Sequence, residues 1–206
     1  AMAEQERSLC VRAAERLRAA GLPCPVVSVG STPTALSAQS LHGVTEVRAG
    51  VYVFFDLVMA NIGVCATQDV ALSVLTTVIG HQVDKGWAIV DAGWMAMSRD
   101  RGTQKQAHDY GYGQVCDAQG RVITGYIVSG ANQEHGIVSC AVPANKAANG
   151  NDPAGLASLS IDQRFPIGMQ LRILPNHACA TAAQFPDYHA VTGQEVGPTW
   201  GRFYGW

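Results

Sequence analysis

Charge is scarce in this chain. Only 15% of its 206 residues are Asp, Glu, Lys or Arg, and the formal net charge is −2. A near-neutral surface without a basic patch offers no electrostatic footprint for nucleic acid or an anionic membrane, so neither is expected as a partner. Runs of like charge are missing as well: Glu4, Glu6, Arg7, Arg12, Glu15, Arg16 and Arg18 mix both signs. Long apolar runs are absent, because the stretches 51–58 and 70–80 are too short or too polar to span a bilayer. No signal-peptide pattern opens the sequence, which points to a cytoplasmic protein. The six cysteines stand singly, with no CxxC pair, so the sequence predicts reduced thiols rather than a disulfide framework. Lysine is the rarest cation, present only as Lys85, Lys105 and Lys146.

What is present is a globular composition, 48% hydrophobic, in a chain long enough to bury a real core. Leu9, Ala13, Leu17 and Ala20 recur at helical spacing and Gly21 follows as a C-cap would. The run Val26-Val27-Ser28-Val29 reads as a strand buried on both faces. Residues 35–41 suggest a helix, and 45–48 with 51–56 the next strand region. Helix, strand, helix, strand is the rhythm of a parallel α/β sheet. That rhythm stops near residues 62–66. From Asp69 onward the pattern is of strands and turns: 70–79, 87–90, 114–116, 122–128, 136–141, 168–174 and 188–191, with Asp117-Ala118-Gln119-Gly120 as a hairpin turn. Residues 144–155 are polar and glycine-rich, as in a loop. The expectation is α/β plus all-β: residues 1–66 as the last units of a (β/α)8 barrel, and 67–206 as an antiparallel β domain. Two α/β units cannot close such a barrel, which takes eight, so the front of the chain reads as the tail of something larger.

Two groups of residues carry candidate chemistry. His177 and Cys179 follow the apolar run 169–174 and the break Pro175-Asn176. Two apart, they share a side if the backbone is extended, and imidazole with thiolate is a donor set that suits zinc. The alternative is a packed histidine beside a buried cysteine. Gly30, Ser31 and Thr32 follow a strand and precede a helix, so their amides and hydroxyls suit a phosphate; equally, Ser31 or Thr32 is an ordinary N-cap with Pro33 in the first turn. Tyr52 reads as a strand aromatic, and Asp56 and Asp91 as strand-end or turn residues. Glu134-His135 is either a surface loop pair or a supporting hydrogen bond to a site.

Read in order, these segments resemble the D-serine dehydratase and D-threonine aldolase family, pyridoxal-phosphate enzymes of the alanine racemase fold type. The segments are Gly30 to Thr34, Glu46 to Asp56, Asp91-Ala92-Gly93 with Ser98-Arg99-Asp100, Gln133 to Gly136, and Pro175 to Cys179. The likeness runs from about Val26 to Trp206. It implies an N-terminal barrel carrying pyridoxal 5'-phosphate and a C-terminal β domain, with only the last barrel units matched here. It further implies that Gly30, Ser31 and Thr32 bind the cofactor's phosphate and that Tyr52 reaches the active-site mouth. His177 and Cys179 are then the zinc ligands. The family's Schiff-base lysine lies near the first barrel strand, which this chain does not match, and none of the three lysines is placed like it.

In that family His-x-Cys marks dehydratases and His-x-Asp the aldolases, so Cys179 implies a dehydratase. Its substrate would be D-serine or a related D-3-hydroxy amino acid and its products a keto acid and ammonia. The complete enzyme is expected to be a homodimer, and this segment alone to be inactive. The competing expectations are a D-threonine-type aldolase and a non-catalytic metal-binding β domain.

Overall fold

The computed structural model describes residues 2–141, 159–193 and 195–203. The chain forms two compact units, Ala1–Phe54 and Phe55–Trp206. The division comes earlier than the composition break near residue 66.

In the first unit, helix α1 (Met2–Ala19) carries Glu4 in its first turn and Arg16 and Arg18 in its last, the arrangement that complements the helix dipole. Its buried stripe, Val11 and Ala14, packs on Val27. Strand β1 (Ser28–Val29) pairs in parallel with β2 (Glu46–Val47), and α2 (Thr32–Ser37) connects them. This is the expected α/β rhythm, with two differences. Val27 and Val29 are buried whereas Val26 is 57% exposed, so the run is covered on one face within this unit, not on both. The segment 51–56, rich in β-branched and aromatic residues, is not a strand. It forms a 3-10 turn, Val51–Val53, and α3 (Leu57–Asn61) follows it at the start of the second unit. The cause is Asp56, whose carboxylate caps α3 by accepting the Met59 N–H at 2.9 Å.

The second unit is built on a closed barrel of six strands: β3 (Val74–Gln82), β4 (Trp87–Val90), β5 (Gly113–Asp117), β6 (Val122–Ala131), β7 (Gly136–Cys140) and β8 (Gln170–Pro175). Their order is β3-β4-β7-β6-β5-β8, and every pairing is antiparallel. Alternate residues point inward. Val78 opposite Val90, Val128 opposite Val138, and Val115 opposite Ile173 are all fully buried. Irregular registers near Val78/Gly80, Gln114/Cys116 and Val128/Gly130 add the local twist that lets short strands close. Helix α4 is Trp94–Met97. Phe165, directly after the short helix α5 (Ile161–Arg164), fills the barrel core edge-on to Tyr126, ring centroids 4.9 Å apart.

Beyond β8 lies α6 (Ala178–Ala182), then a hairpin of β9 (Asp187–Thr192) and β10 (Glu195–Gly201). Tyr188 anchors the hairpin by donating its hydroxyl to the Ala182 carbonyl at 3.0 Å. No helix among the described residues is long and apolar enough to cross a membrane. The expected glycine-rich loop at 144–155, and Lys146 within it, lie outside the described residues.

Candidate functional site

In the second unit the candidate donors sit where β8 gives way to α6. Pro175 is the last ladder residue, paired with Gly113, and Asn176 is 2% exposed. Its amide is fully used: Nδ2 donates to the Asp100 carbonyl at 3.1 Å and the Gly111 carbonyl at 2.7 Å, and Oδ1 accepts the Thr103 hydroxyl at 3.1 Å. A buried amide satisfied on both ends fixes the loop 100–111 beside the strand exit.

His177 then serves as the N-cap of α6, with extended backbone (φ −137°, ψ 102°) but no side-chain capping bond. Asp56 does that work instead. Its Oδ2 accepts the Ala178 N–H at 2.9 Å while Oδ1 caps α3, so one buried carboxylate ties the starts of both helices together. The His177 ring is thereby released from capping, and its Nδ1 lies 2.7 Å from Asp100 Oδ2. Both side chains are partly exposed, 43% for His177 and 36% for Asp100.

Cys179 is exposed and is the second residue of α6. The extended backbone on which period-two alternation depends therefore stops at His177, because the helix begins at Ala178. The pair shares a different feature, the N-terminal end of one helix, where an N-cap side chain lies over the first turn. Imidazole and thiol remain a donor set suited to zinc. Among the described residues no group of three or more His, Cys, Asp or Glu side chains is placed to hold a metal ion. Two donors from this chain would leave coordination positions open.

The Asp100 contact was not readable from the sequence. Ser98-Arg99-Asp100 stood out only as part of a motif. The local signal is in the backbone. Ser98 has φ +84° and ψ 164°, a region that non-glycine residues seldom occupy and that recurs at functional positions. Its hydroxyl accepts the Asp100 N–H at 3.2 Å. Of the other candidates, Asp91 is a strand-end residue, its Oδ1 accepting from the Thr76 hydroxyl at 2.7 Å and the Thr77 N–H at 2.8 Å. His135 bonds within its own turn, Nε2 to Asn132 Nδ2 at 2.9 Å. Lys85 stands over the Trp87 ring at 4.7 Å.

The first unit brings its own candidates together. Gly30 adopts φ +141°, and a Cβ there would lie 2.1 Å from the Arg48 carbonyl oxygen, so only glycine fits. Ser31 caps α2, its Oγ accepting the Thr34 N–H at 3.3 Å. Thr32 is buried and its Oγ1 accepts the Tyr52 N–H at 3.0 Å. Thr32 and Tyr52 line an open hollow of about 360 Å³ with Ala35, Leu36, Val47 and Ala49. The loop's donors already engage one oxyanion. Glu6 accepts the Gly30 N–H at 3.0 Å and the Thr34 hydroxyl at 2.6 Å, and these bonds hold its carboxyl below the usual range. The Gly30 amide and the Thr34 hydroxyl are thus taken by the Glu6 carboxylate, which a phosphate would have to displace to use them.

Comparison with known proteins follows the same division. The serine dehydratase domain matches residues 71–191, and the alanine racemase N-terminal domain matches 1–58. D-threo-3-hydroxyaspartate dehydratase of Delftia sp. (strain HT23) is 68% identical over 206 residues, all of this chain and 51% of that protein. D-serine dehydratase of Dictyostelium discoideum is 30% identical over 182 residues, 86% of this chain and 42% of that protein. The chain thus spans about half the length of these relatives. Solved structures of D-threo-3-hydroxyaspartate dehydratase superpose with TM-scores of 0.84 and 0.82, at 67% and 68% identity, over 100% and 99% of this chain and 50% and 51% of theirs. One of them carries alanine in place of a histidine. The other carries alanine in place of a cysteine two positions further on, in a metal-free form.

Proposed function

The chain belongs to the serine dehydratase domain family, and on that premise we propose that it is the part of a pyridoxal-phosphate- and zinc-dependent dehydratase that holds the cofactor's phosphate and the metal. The substrate is a D-3-hydroxy amino acid, D-threo-3-hydroxyaspartate in preference to D-serine, since the relative that is 68% identical bears that name. The reaction would release a keto acid and ammonia, and the complete enzyme is expected to be a homodimer. The observation that carries this reading is the junction Asn176-His177-Ala178-Cys179. A histidine freed from capping and a cysteine two positions on share one helix end, at the spacing of the two residues replaced in the relative's structures.

His177 and Cys179 would hold the ion; Gly30, Ser31 and Thr32 would hold the phosphate, and Tyr52 would line the hollow beside it. When bound, pyridoxal phosphate supplies an electron sink at the α-carbon and zinc a Lewis acid for the β-hydroxyl. This chain's residues contribute placement. Asp56 and Asn176 fix the strand-to-helix junction, and α6 orients the thiol. Cys179 favours dehydration over aldol cleavage, because a thiolate selects zinc where a carboxylate suits harder ions.

The chain by itself is expected to be inactive: Lys85 covers Trp87 from a turn, Lys105 lies in the loop after Arg101, and neither matches the Schiff-base lysine that the family resemblance implies. The test is to join the chain to the first half of the Delftia relative and follow products from D-threo-3-hydroxyaspartate. Oxaloacetate and ammonia are expected, abolished by chelator and restored by zinc. Release of glycine without ammonia would indicate an aldolase, and indifference to chelation would remove the metal from the proposal.

A further inference from the structure

His177 has two ring nitrogens, and the fold treats them differently. Nδ1 lies 2.7 Å from Asp100 Oδ2. A carboxylate oxygen only accepts hydrogen bonds, so a bond of this length places a proton on Nδ1 and leaves the neutral ring's lone pair on Nε2. The backbone that carries this carboxylate is itself held. The Asp100 amide donates to Ser98 Oγ at 3.2 Å, and the Asp100 carbonyl accepts from Asn176 Nδ2 at 3.1 Å. Asn176 directly precedes His177, so one buried amide fixes both the histidine's backbone and the aspartate facing it. Gly102 completes the arrangement: a Cβ there would lie 3.2 Å from Asp100 Oδ1 and 2.8 Å from Val58 Cγ2.

A partly exposed pair of this kind contributes little to stability, and the Ser98 backbone is strained to place it. Such a pair is better explained by orientation than by cohesion. We infer that Asp100 is a positioning residue, which fixes His177 with its proton on Nδ1 so that Nε2 presents a lone pair to a divalent ion shared with Cys179. This rests on the metal reading of the preceding section. It adds a contact between residues 77 positions apart, through which ligand orientation is set. Partners of this kind tune metal affinity by roughly 10–100-fold.

The experiment uses the 206-residue chain. Zinc is titrated in competition with a chromogenic chelator for the unaltered chain and for Asp100→Asn, Asp100→Ala, His177→Ala and Cys179→Ala. The His177 tautomer is read from ring nitrogen shifts in the metal-free chain. The expected result is an Nδ1-protonated ring in the unaltered chain and a mixture of tautomers in Asp100→Asn, whose amide can present either oxygen or nitrogen to the ring. Zinc affinity should fall about 10–100-fold in both Asp100 variants and be lost in His177→Ala and Cys179→Ala, with the thermal midpoint of Asp100→Asn essentially unmoved. An Nε2-protonated ring in the unaltered chain, or undiminished zinc affinity in Asp100→Asn, overturns the inference. If the chain binds no zinc yet the tautomer is fixed and released by Asp100→Asn, the metal reading fails and the positioning role stands. Should Asp100→Asn not fold, the tautomer of the unaltered chain decides the matter.

Discussion

The two units of this chain keep apolar surface from water in different ways. The second closes six of its strands on themselves, so that barrel has no open edge among the described residues, and thirteen buried residues form one core. The first has a two-stranded parallel sheet, and its core is built on Val11, Ala14 and Val27. Val26, Leu36, Leu41 and Val53 are each at least half exposed there. Closure satisfies backbone and side chains together, whereas a two-stranded parallel sheet keeps open edges and uncovered apolar faces. The chemistry proposed for each unit follows the same contrast: a metal site at the exit of a closed-barrel strand, and a phosphate loop on a lightly covered scaffold.

The largest expected consequence is association. At micromolar concentration light scattering should find the chain larger than a monomer, and Val26→Lys with Val53→Lys should reduce that mass. A clean monomer of the unaltered chain would break the contrast. Next in size is core truncation. Phe165→Ala should cost about 3–5 kcal/mol, and Val27→Ala roughly 1–2 kcal/mol, measured by urea unfolding with hydrogen exchange resolved by unit. The reverse ranking would mean that the barrel is not the more cohesive unit.

The smallest effect is on pH dependence, and its sign differs between the units. Burial, with the nearby Asp117 charge, pushes the Cys116 thiol up to about 11. The unfolded chain then loses this proton before the folded one, so the second unit should be fully stable below about pH 9 and weaken toward pH 11. Cys116→Ala should flatten that alkaline decline. Glu6 shifts the other way, held down by the Thr34 hydroxyl and the Gly30 amide. Its contribution to the first unit is present above the ordinary carboxylate range and lost as pH falls through its lowered value. Glu6→Gln should remove this acid sensitivity, read from Gly30 amide exchange.

Much of the barrel was legible in the sequence because its signals are local. Alternation marks 87–90 and 122–128 as strands, and Asp117 to Gly120 as the turn between β5 and β6. The failures have physical causes. The segment 51–56 has strand propensity, but the Asp56 cap turns it toward a helix. Strand β10 was missed because Gly197 and Pro198 interrupt it, and the ladder accommodates them with an irregular register between Val196 and Thr199. His177 and Cys179 could be singled out by donor chemistry and spacing. That Asp100 faces His177, and that Asp56 caps the helix bearing Cys179, are long-range contacts which a single sequence does not encode in any local pattern.

The central claim is that His177 and Cys179 hold one divalent ion. X-ray absorption at the zinc edge of the zinc-loaded chain tests it most directly. The account predicts one sulfur near 2.3 Å and one nitrogen near 2.0 Å, completed by oxygen, with the sulfur lost in Cys179→Ala. A shell of oxygens alone, or a sulfur that persists in Cys179→Ala, would contradict it.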